Sequence, residues 1–180
     1  MGLRDAIRGW GATPEELAAR LPCDDLARDG QTTVDRAVDT DAPPHAVYRW
    51  LCQLRVAPYS YDLLDNFGRR SPRELTPGMD ELEPGQRFMT IFRLVSFEPG
   101  EHITLRTRSG GTAVTYRVTP GRLHMRAHIS SRIPGIALGD LIMARKQLLT
   151  LSELARRAPA ASGGDRPPPG SRAPSGRGRG

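Results

Sequence analysis

One short stretch of the sequence concentrates side chains that can donate, accept or transfer protons. It reads YSYDLLDN. If this stretch is helical, Asp62 and Asp65 share a face, and two carboxyls held close together differ in proton affinity, as a general acid and base must. Two other interpretations stay open. The cluster is a capping and turn network, or it contacts a ligand through Tyr59, Tyr61, Asp62 and Asn66.

Two further polar residues fall on positions that strand alternation turns towards a protein interior. Arg93 shares the parity of the apolar residues around it, so an unbroken strand would bury its charge, and a buried charge needs a partner. That partner is a ligand carboxylate or oxyanion, or Asp62 or Asp65, unless a β-bulge turns Arg93 outward. Tyr116 lies on the inward parity of its own strand and offers a hydroxyl to an apolar pocket, the alternative being packing with an incidental hydrogen bond.

The sequence contains no arrangement of residues that is typical of metal, nucleotide or hydrolase chemistry. His124 and His128 share one strand face with arginines, and we expect that face to lie in solvent. Cys23 and Cys52 form no CxxC pair, so we expect two reduced, packed thiols, as in a cytosolic protein. There is no phosphate-cradling glycine loop and no GxSxG elbow. We therefore expect no metal site and no cofactor.

The net charge of +6 is unevenly distributed along the 180 residues. Residues 158–180 contain no Leu, Ile, Val, Met or aromatic residue, and their charges are Asp165, Arg166, Arg172, Arg177 and Arg179. This composition predicts a disordered tail, and its Arg-Gly ending resembles segments that contact nucleic acid by charge, although no stacking aromatic is present. The N-terminus lacks the apolar core of a secretory signal, and Asp140 interrupts the apolar run IALGDLIMA, so we expect a cytoplasmic protein without a membrane span.

The first half of the chain shows helix and strand patterns. Thr13-Pro14-Glu15-Glu16 has the spacing of a capping box and predicts a short helix from Pro14 to about Leu21. Alternation predicts a half-exposed strand over residues 32–40. The next apolar residues follow helical spacing and predict a core-facing helix, with its buried face formed by Val47, Trp50, Leu51 and Leu54.

The second half reads as a meander followed by a helix. From Pro84 onward, turn dipeptides separate runs in which apolar and polar residues alternate, which predicts antiparallel strands with one face in solvent. In the run over residues 87–97, apolar residues occupy both alternating sets of strand positions. This predicts a bulge or a partly covered outer face. A helix from Gly139 to Arg157 closes the chain, and Ile142 and Leu149 widen its apolar stripe. The order of elements predicts an α+β fold, with this helix covering the sheet.

Two segments of the sequence and this order of elements resemble those of a known superfamily. VDRAVDTDAPPHAVYRWL reads as a strand and an alanine-proline helix start, and FRLVSFEPGEHITLRT as a hairpin with a proline turn. Over residues 9–157 the chain resembles the START-like superfamily, also called SRPBCC and including polyketide cyclase-like proteins, and within it an uncharacterised bacterial branch. The resemblance implies a helix-grip fold, a curved antiparallel sheet wrapped around the long C-terminal helix. It also implies a cavity between them, with the YSYDLLDN segment at its mouth.

The resemblance also suggests a division of the chain and a function. We expect an N-terminal extension over residues 1–31, the helix-grip domain over 32–157 and the tail over 158–180. The domain is expected to bind a small hydrophobic or amphipathic ligand, lipid-like or polyketide-like, in its cavity. One alternative is a polyketide cyclase, aromatase or dehydratase that uses the same cavity, and a second is an interaction module that acts through the tail. No obligate protein partner is inferred.

Overall fold

A computed structural model describes residues 8–60, 71–130 and 136–157, with the side chains of the last range given from residue 142. The strands are β1 (Gly9–Trp10), β2 (Gln31–Asp39), β3 (Arg87–Phe88), β4 (Phe92–Glu98), β5 (His102–Thr107), β6 (Thr112–Thr119) and β7 (Arg122–Ser130). The α-helices are α1 (Pro14–Ala18), α2 (Pro44–Cys52) and α3 (Ile136–Arg157), and 3-10 helices span Pro22–Leu26 and Gln53–Arg55. The described residues form an α+β fold, as the sequence predicts.

The strands form one seven-stranded mixed sheet in the order β1-β2-β7-β6-β5-β4-β3. The strands from β4 to β7 are a continuous antiparallel meander, and β2 pairs antiparallel with β7. Three of the predicted turn dipeptides, Pro99-Gly100, Gly110-Gly111 and Pro120-Gly121, connect the strands from β4 to β7, which confirms that part of the prediction. The mixed character was not predicted: β1, from the expected N-terminal extension, pairs parallel with β2.

One face of the sheet forms the core with α2 and α3. The four residues predicted as the buried face of α2 are all in this core, so the helical spacing was interpreted correctly. On α3 the buried stripe includes Ala144, Leu148, Leu151 and Ala155. Ile142 and Leu149 are exposed, contrary to prediction, because both lie on the side of the helix opposite the buried stripe. No described helix has the length and apolar character needed to cross a bilayer.

A bulge in β4 reverses the orientation that uninterrupted alternation predicts for Arg93. The register shifts between Leu94 and Ser96, so Val95 is an extra residue in the strand. As a result, Leu94 and Phe97 both face the core although an odd number of positions separates them. Arg93 therefore lies on the opposite face, which corresponds to the alternative that a bulge turns it outward and not to the inward orientation of an unbroken strand. The bulge itself was expected in this run.

The other face of the sheet is covered over part of its area, not in solvent as predicted. The 3-10 helix Pro22–Leu26 packs on β5, β6 and β7, and α1 precedes it along the chain. His124, Arg126 and His128 are consequently buried, so the prediction of solvent-facing histidines is wrong. We call this side the outer face.

The N-terminal helix begins as predicted but ends early. Thr13 Oγ1 accepts from the backbone N–H of Glu16, and the Glu16 carboxylate accepts from the N–H of Thr13, which completes the capping box. The helix ends at Ala18, not near Leu21, because the Arg126 guanidinium donates to the backbone oxygens of Glu16, Leu17 and Ala19. These are carbonyls that a longer helix would use for its own hydrogen bonds.

Gly11 provides a test of the link between β1 and α1. Its φ is +72°, and a Cβ at this position would lie 2.1 Å from the carbonyl oxygen of Ala37. We expect Gly11→Ala to lower the free energy of unfolding by more than the about 1–3 kcal/mol that a left-handed non-glycine residue costs. Gly30→Ala is the matched control, since its φ is +75° and nothing lies within 4 Å of its Cβ position. Equal losses of urea stability in the two variants would contradict the steric argument.

Candidate functional site

The structure contains a cavity of about 310 Å³ between the sheet and α3. Its walls come from the segment after α2, the turn between β3 and β4, the strands β6 and β7, and α3. The described residues that line it are Pro58, Ser60, Met89, Thr90, Ile91, Phe92, Thr112, Val114, Tyr116, Met125, Met143, Ala144 and Gln147. None of these residues carries a charge. The cavity therefore suits a molecule that is largely apolar and uncharged where it contacts these walls.

One hydrogen-bonded pair provides the buried polar groups of the cavity. The Tyr116 hydroxyl donates to Gln147 Oε1 at 2.6 Å, and Gln147 Nε2 donates to the carbonyl oxygen of Pro58 at 2.5 Å. The Gln147 amide also lies 3.3 Å from the sulfur of Met89. These contacts connect β6, α3 and the segment after α2 through a single side chain, so Gln147 fixes the positions of the cavity walls.

Backbone strain is concentrated at the same place. Among the described non-glycine residues, positive φ angles occur at Tyr59 (55°), Met89 (42°) and Thr90 (67°). Met89 and Thr90 line the cavity, and Tyr59 lies between two lining residues. A β-branched residue such as threonine rarely adopts this conformation, and each such residue costs about 1–3 kcal/mol. Strain of this kind clusters at functional sites.

Only some of the predicted site residues are among those that the structure describes. Tyr116 lies in the cavity wall, where strand parity placed it. Tyr59 is buried beside the cavity, with its ring edge-on to Trp50 at 5.8 Å between centroids. Tyr61, Asp62, Asp65 and Asn66 lie outside the described residues. Any role of these side chains towards a ligand stays a prediction.

Arg93 does not line the cavity, and its neighbours are cations. It pairs in register with Arg87 on β3 and with Arg106 on β5, so three arginines share one row on the outer face. Like charges directly opposite each other destabilise a sheet. The prediction that Arg93 meets a ligand inside the cavity is not compatible with this position.

Gln147 is the cavity residue that the sequence analysis missed. A signal for it was present, because Gln147 falls three positions after Ala144 and four before Leu151, on the apolar stripe of α3. A polar side chain on a buried stripe requires hydrogen-bond partners, and Gln147 is 6% exposed. Periodicity locates such a residue but does not identify the groups that it contacts.

A second cluster of polar residues lies under α1 and the 3-10 helix on the outer face. Asp35 Oδ1 accepts from Arg126 Nε at 2.9 Å and lies 2.8 Å from His124 Nε2. Asp24 Oδ1 lies 2.8 Å from His128 Nε2, and its second oxygen accepts from Arg126. Arg126 therefore joins the two carboxylates. We call these five residues the outer-face network.

Two residues of this network and the neighbouring Cys23 have the ligand types of a metal site. The ligand atoms of Cys23, Asp24 and His128 all lie within 4.8 Å of one another. Two features oppose a cation there. The Arg126 guanidinium lies 3.1 Å from the Asp24 carboxylate, and burial raises the pKa of the Cys23 thiol to about 11. The arrangement is explained by its hydrogen bonds, with Cys23 N–H donating to Thr115 Oγ1 at 3.0 Å.

The network predicts a dependence of stability on pH. Burial, the largest influence, would raise the pKa of Asp24, but hydrogen bonds from Leu21 N–H and His128, with the charge of Arg126, lower it overall. A carboxyl with a lowered folded pKa stabilises the protein above its unfolded pKa and loses this effect as the pH falls through the folded value. We therefore expect this contribution to decline below about pH 4.

Urea unfolding at about pH 6, 4 and 3 would measure this decline. Asp24→Asn removes the titrating group, so its stability should change less than that of the native chain between pH 4 and 3. Parallel declines in the two proteins would show that Asp24 is not responsible.

Comparisons with known proteins do not assign a family. No protein-family model matches the chain, and no curated protein matches it. Protein CV1439 from Chromobacterium violaceum, a solved structure, is 18% identical with a TM-score of 0.44, over 68% of this chain and 96% of its own. EF2215 from Enterococcus faecalis, described as a conserved protein of unknown function, is 10% identical with a TM-score of 0.44, over 75% and 77%. At these values the likeness carries no argument about function.

Proposed function

We propose that this chain has a helix-grip fold and binds a small hydrophobic or amphipathic molecule in the cavity between its sheet and α3. The observation that carries the proposal is the cavity itself, about 310 Å³ in volume and without a charged residue among its described lining. Ligand pockets typically occupy about 300–1,000 Å³, are mostly apolar and contain a few placed polar groups. The Tyr116–Gln147 pair has the character of such groups.

The size of the cavity sets the scale of affinity. Apolar cavities of about 150 Å³ bind benzene, so this cavity is large enough for a molecule of two fused rings. Burial of about 200 Å² of ligand apolar surface would favour binding by roughly 5 kcal/mol. Part of this free energy offsets the lost translational and rotational freedom of the ligand. We therefore expect micromolar or weaker binding for a simple aromatic probe.

The strained backbone supports the same location. Met89 and Thr90, which both have positive φ, line this cavity, and backbone strain of this kind clusters at functional sites. Here these residues form the turn between β3 and β4 at one side of the cavity, with the N–H of Met89 donating to the carbonyl oxygen of Leu54 at 2.9 Å. This hydrogen bond attaches the turn to the 3-10 helix Gln53–Arg55 and so stabilises this side of the cavity.

Binding without catalysis is the function that the described lining favours. A cyclase or dehydratase needs an acid or base at the reacting atoms. The described lining residues include no carboxyl, imidazole or amine, and the phenol of Tyr116 donates its proton to Gln147. The carboxyls suggested for such chemistry, Asp62 and Asp65, are not among the described residues. Asp62→Asn and Asp65→Asn, assayed with a poly-β-ketone surrogate, test this alternative: altered products would favour catalysis.

The proposal is tested by asking whether the cavity holds a small molecule. Native mass spectrometry of protein purified from its own host should show an adduct that collisional activation removes. In parallel, naphthalene titrated into the ligand-free protein should bind saturably with one site per chain. The absence of both an adduct and saturable naphthalene binding would overturn the proposed function.

A further inference from the structure

The direction of the hydrogen bonds around Gln147 is determined by the groups that surround it. A backbone carbonyl oxygen can only accept, so the atom of Gln147 that lies 2.5 Å from the Pro58 oxygen is the amide nitrogen. The same nitrogen lies 3.3 Å from the sulfur of Met89, a weak acceptor. Both amide hydrogens of Gln147 therefore have acceptors within the cavity wall.

The orientation of Gln147 in turn determines that of Tyr116. Since Nε2 is directed at Pro58, Oε1 is the atom that lies 2.6 Å from the Tyr116 hydroxyl. An amide oxygen only accepts, so Tyr116 is the donor. The hydroxyl proton of Tyr116 is committed to this bond. An amide oxygen has two lone pairs, and the bond from Tyr116 uses one of them.

We propose that the cavity selects an uncharged, mostly apolar ligand that carries a hydrogen-bond donor, a hydroxyl or an N–H, and that this donor binds Gln147 Oε1. This inference rests on the proposed function and specifies the chemistry of its ligand. A carbonyl or ether oxygen at the same point would face an acceptor and would itself be buried without a donor. The hydroxyls of Ser60, Thr90 and Thr112 can each donate or accept, so Gln147 Oε1 is the directional group in the described lining.

Three probes of similar shape separate the contributions. 2-Naphthol has a donor, 2-methoxynaphthalene has only an acceptor, and naphthalene has neither. At about pH 7 the naphthol remains protonated, as expected from the phenolic pKa of about 10. We expect 2-naphthol to bind about 10- to 100-fold more tightly than 2-methoxynaphthalene, with naphthalene between them, as measured by calorimetric or fluorescence titration.

Variants test whether Gln147 is responsible. Gln147→Met keeps a similar side-chain shape without the amide, so the preference for naphthol should fall to less than about threefold. Leu149→Met, on the exposed side of the same helix and away from the cavity, is the matched control and should retain the preference. If Gln147→Met fails to fold, the comparison of probes in the native protein still tests whether the cavity selects a donor.

The outcomes distinguish this inference from the proposed function. If none of the three probes binds and native mass spectrometry shows no adduct, the proposed function fails, and the inference fails with it. If all three bind with similar Kd, or the methoxy compound binds most tightly, the cavity is a binding site but its selection of a donor is wrong. A naphthol preference that survives in Gln147→Met would likewise overturn the role of Oε1.

Discussion

Replacing Arg126 by methionine should lower the free energy of unfolding by about 3–5 kcal/mol, the typical effect of removing one partner of a buried ion pair. The side chains of Arg126 and Asp35 are each 6% exposed. Without Arg126, the Asp35 carboxyl would lie in a site with little water, with His124 as its remaining partner in the outer-face network. Methionine fills similar space, so the measured loss reports charge and hydrogen bonds more than volume.

Arg126 also holds the N-terminal segment on the sheet. Its guanidinium donates to the backbone oxygens of Glu16, Leu17 and Ala19 at 2.5–2.9 Å. Arg126→Met would leave the last carbonyls of α1 without these donors. We therefore expect faster hydrogen exchange in α1 and the 3-10 helix Pro22–Leu26 than in the meander.

Two further variants separate the causes of the loss. Arg157→Met breaks an exposed ion pair with Glu153 and should change stability by no more than about 0.5 kcal/mol. Asp35→Asn combined with Arg126→Met removes the uncompensated charge and should recover part of the stability lost in Arg126→Met. A loss below about 1 kcal/mol in Arg126→Met would show that the outer-face network does not stabilise this fold.

Filling the cavity should abolish ligand binding without unfolding the protein. Ala144 lies on α3, buried, with its methyl group in the cavity wall. Ala144→Trp would direct an indole, which buries roughly 200 Å² of surface, into that space. Because the cavity is about 310 Å³, the indole has room that a packed core does not offer, and the variant should keep native circular dichroism and near-native urea stability. We expect naphthalene to bind at least about tenfold more weakly.

Leu149→Trp is the matched control on the same helix. Leu149 is exposed and does not line the cavity, so tryptophan there adds the same side chain without blocking the site. Naphthalene should bind this variant as it binds the native chain. Unchanged binding in Ala144→Trp, with its fold intact, would place the ligand elsewhere on the molecule.

The sequence by itself determined the elements that depend on residues a few positions apart. The capping box at Thr13 and the buried face of α2 each involve one or two turns of chain, and the meander follows from its turn dipeptides. Strand parity placed Tyr116 in the cavity wall for the same reason. Gln147 was detectable as a polar residue on a buried stripe, although its partners were not.

Only the tertiary structure decided what covers each face and which polar groups meet. One inserted residue, Val95, reversed the orientation of Arg93, because alternation has a period of two and any single insertion changes its phase. The polar alternation of β7 reads the same whether water or another segment lies against it. In this protein another segment covers β7, because Arg126 donates to the backbone oxygen of Glu16, 110 positions away in the sequence. Contacts of this range depend on how the whole chain packs, and local spacing does not encode them.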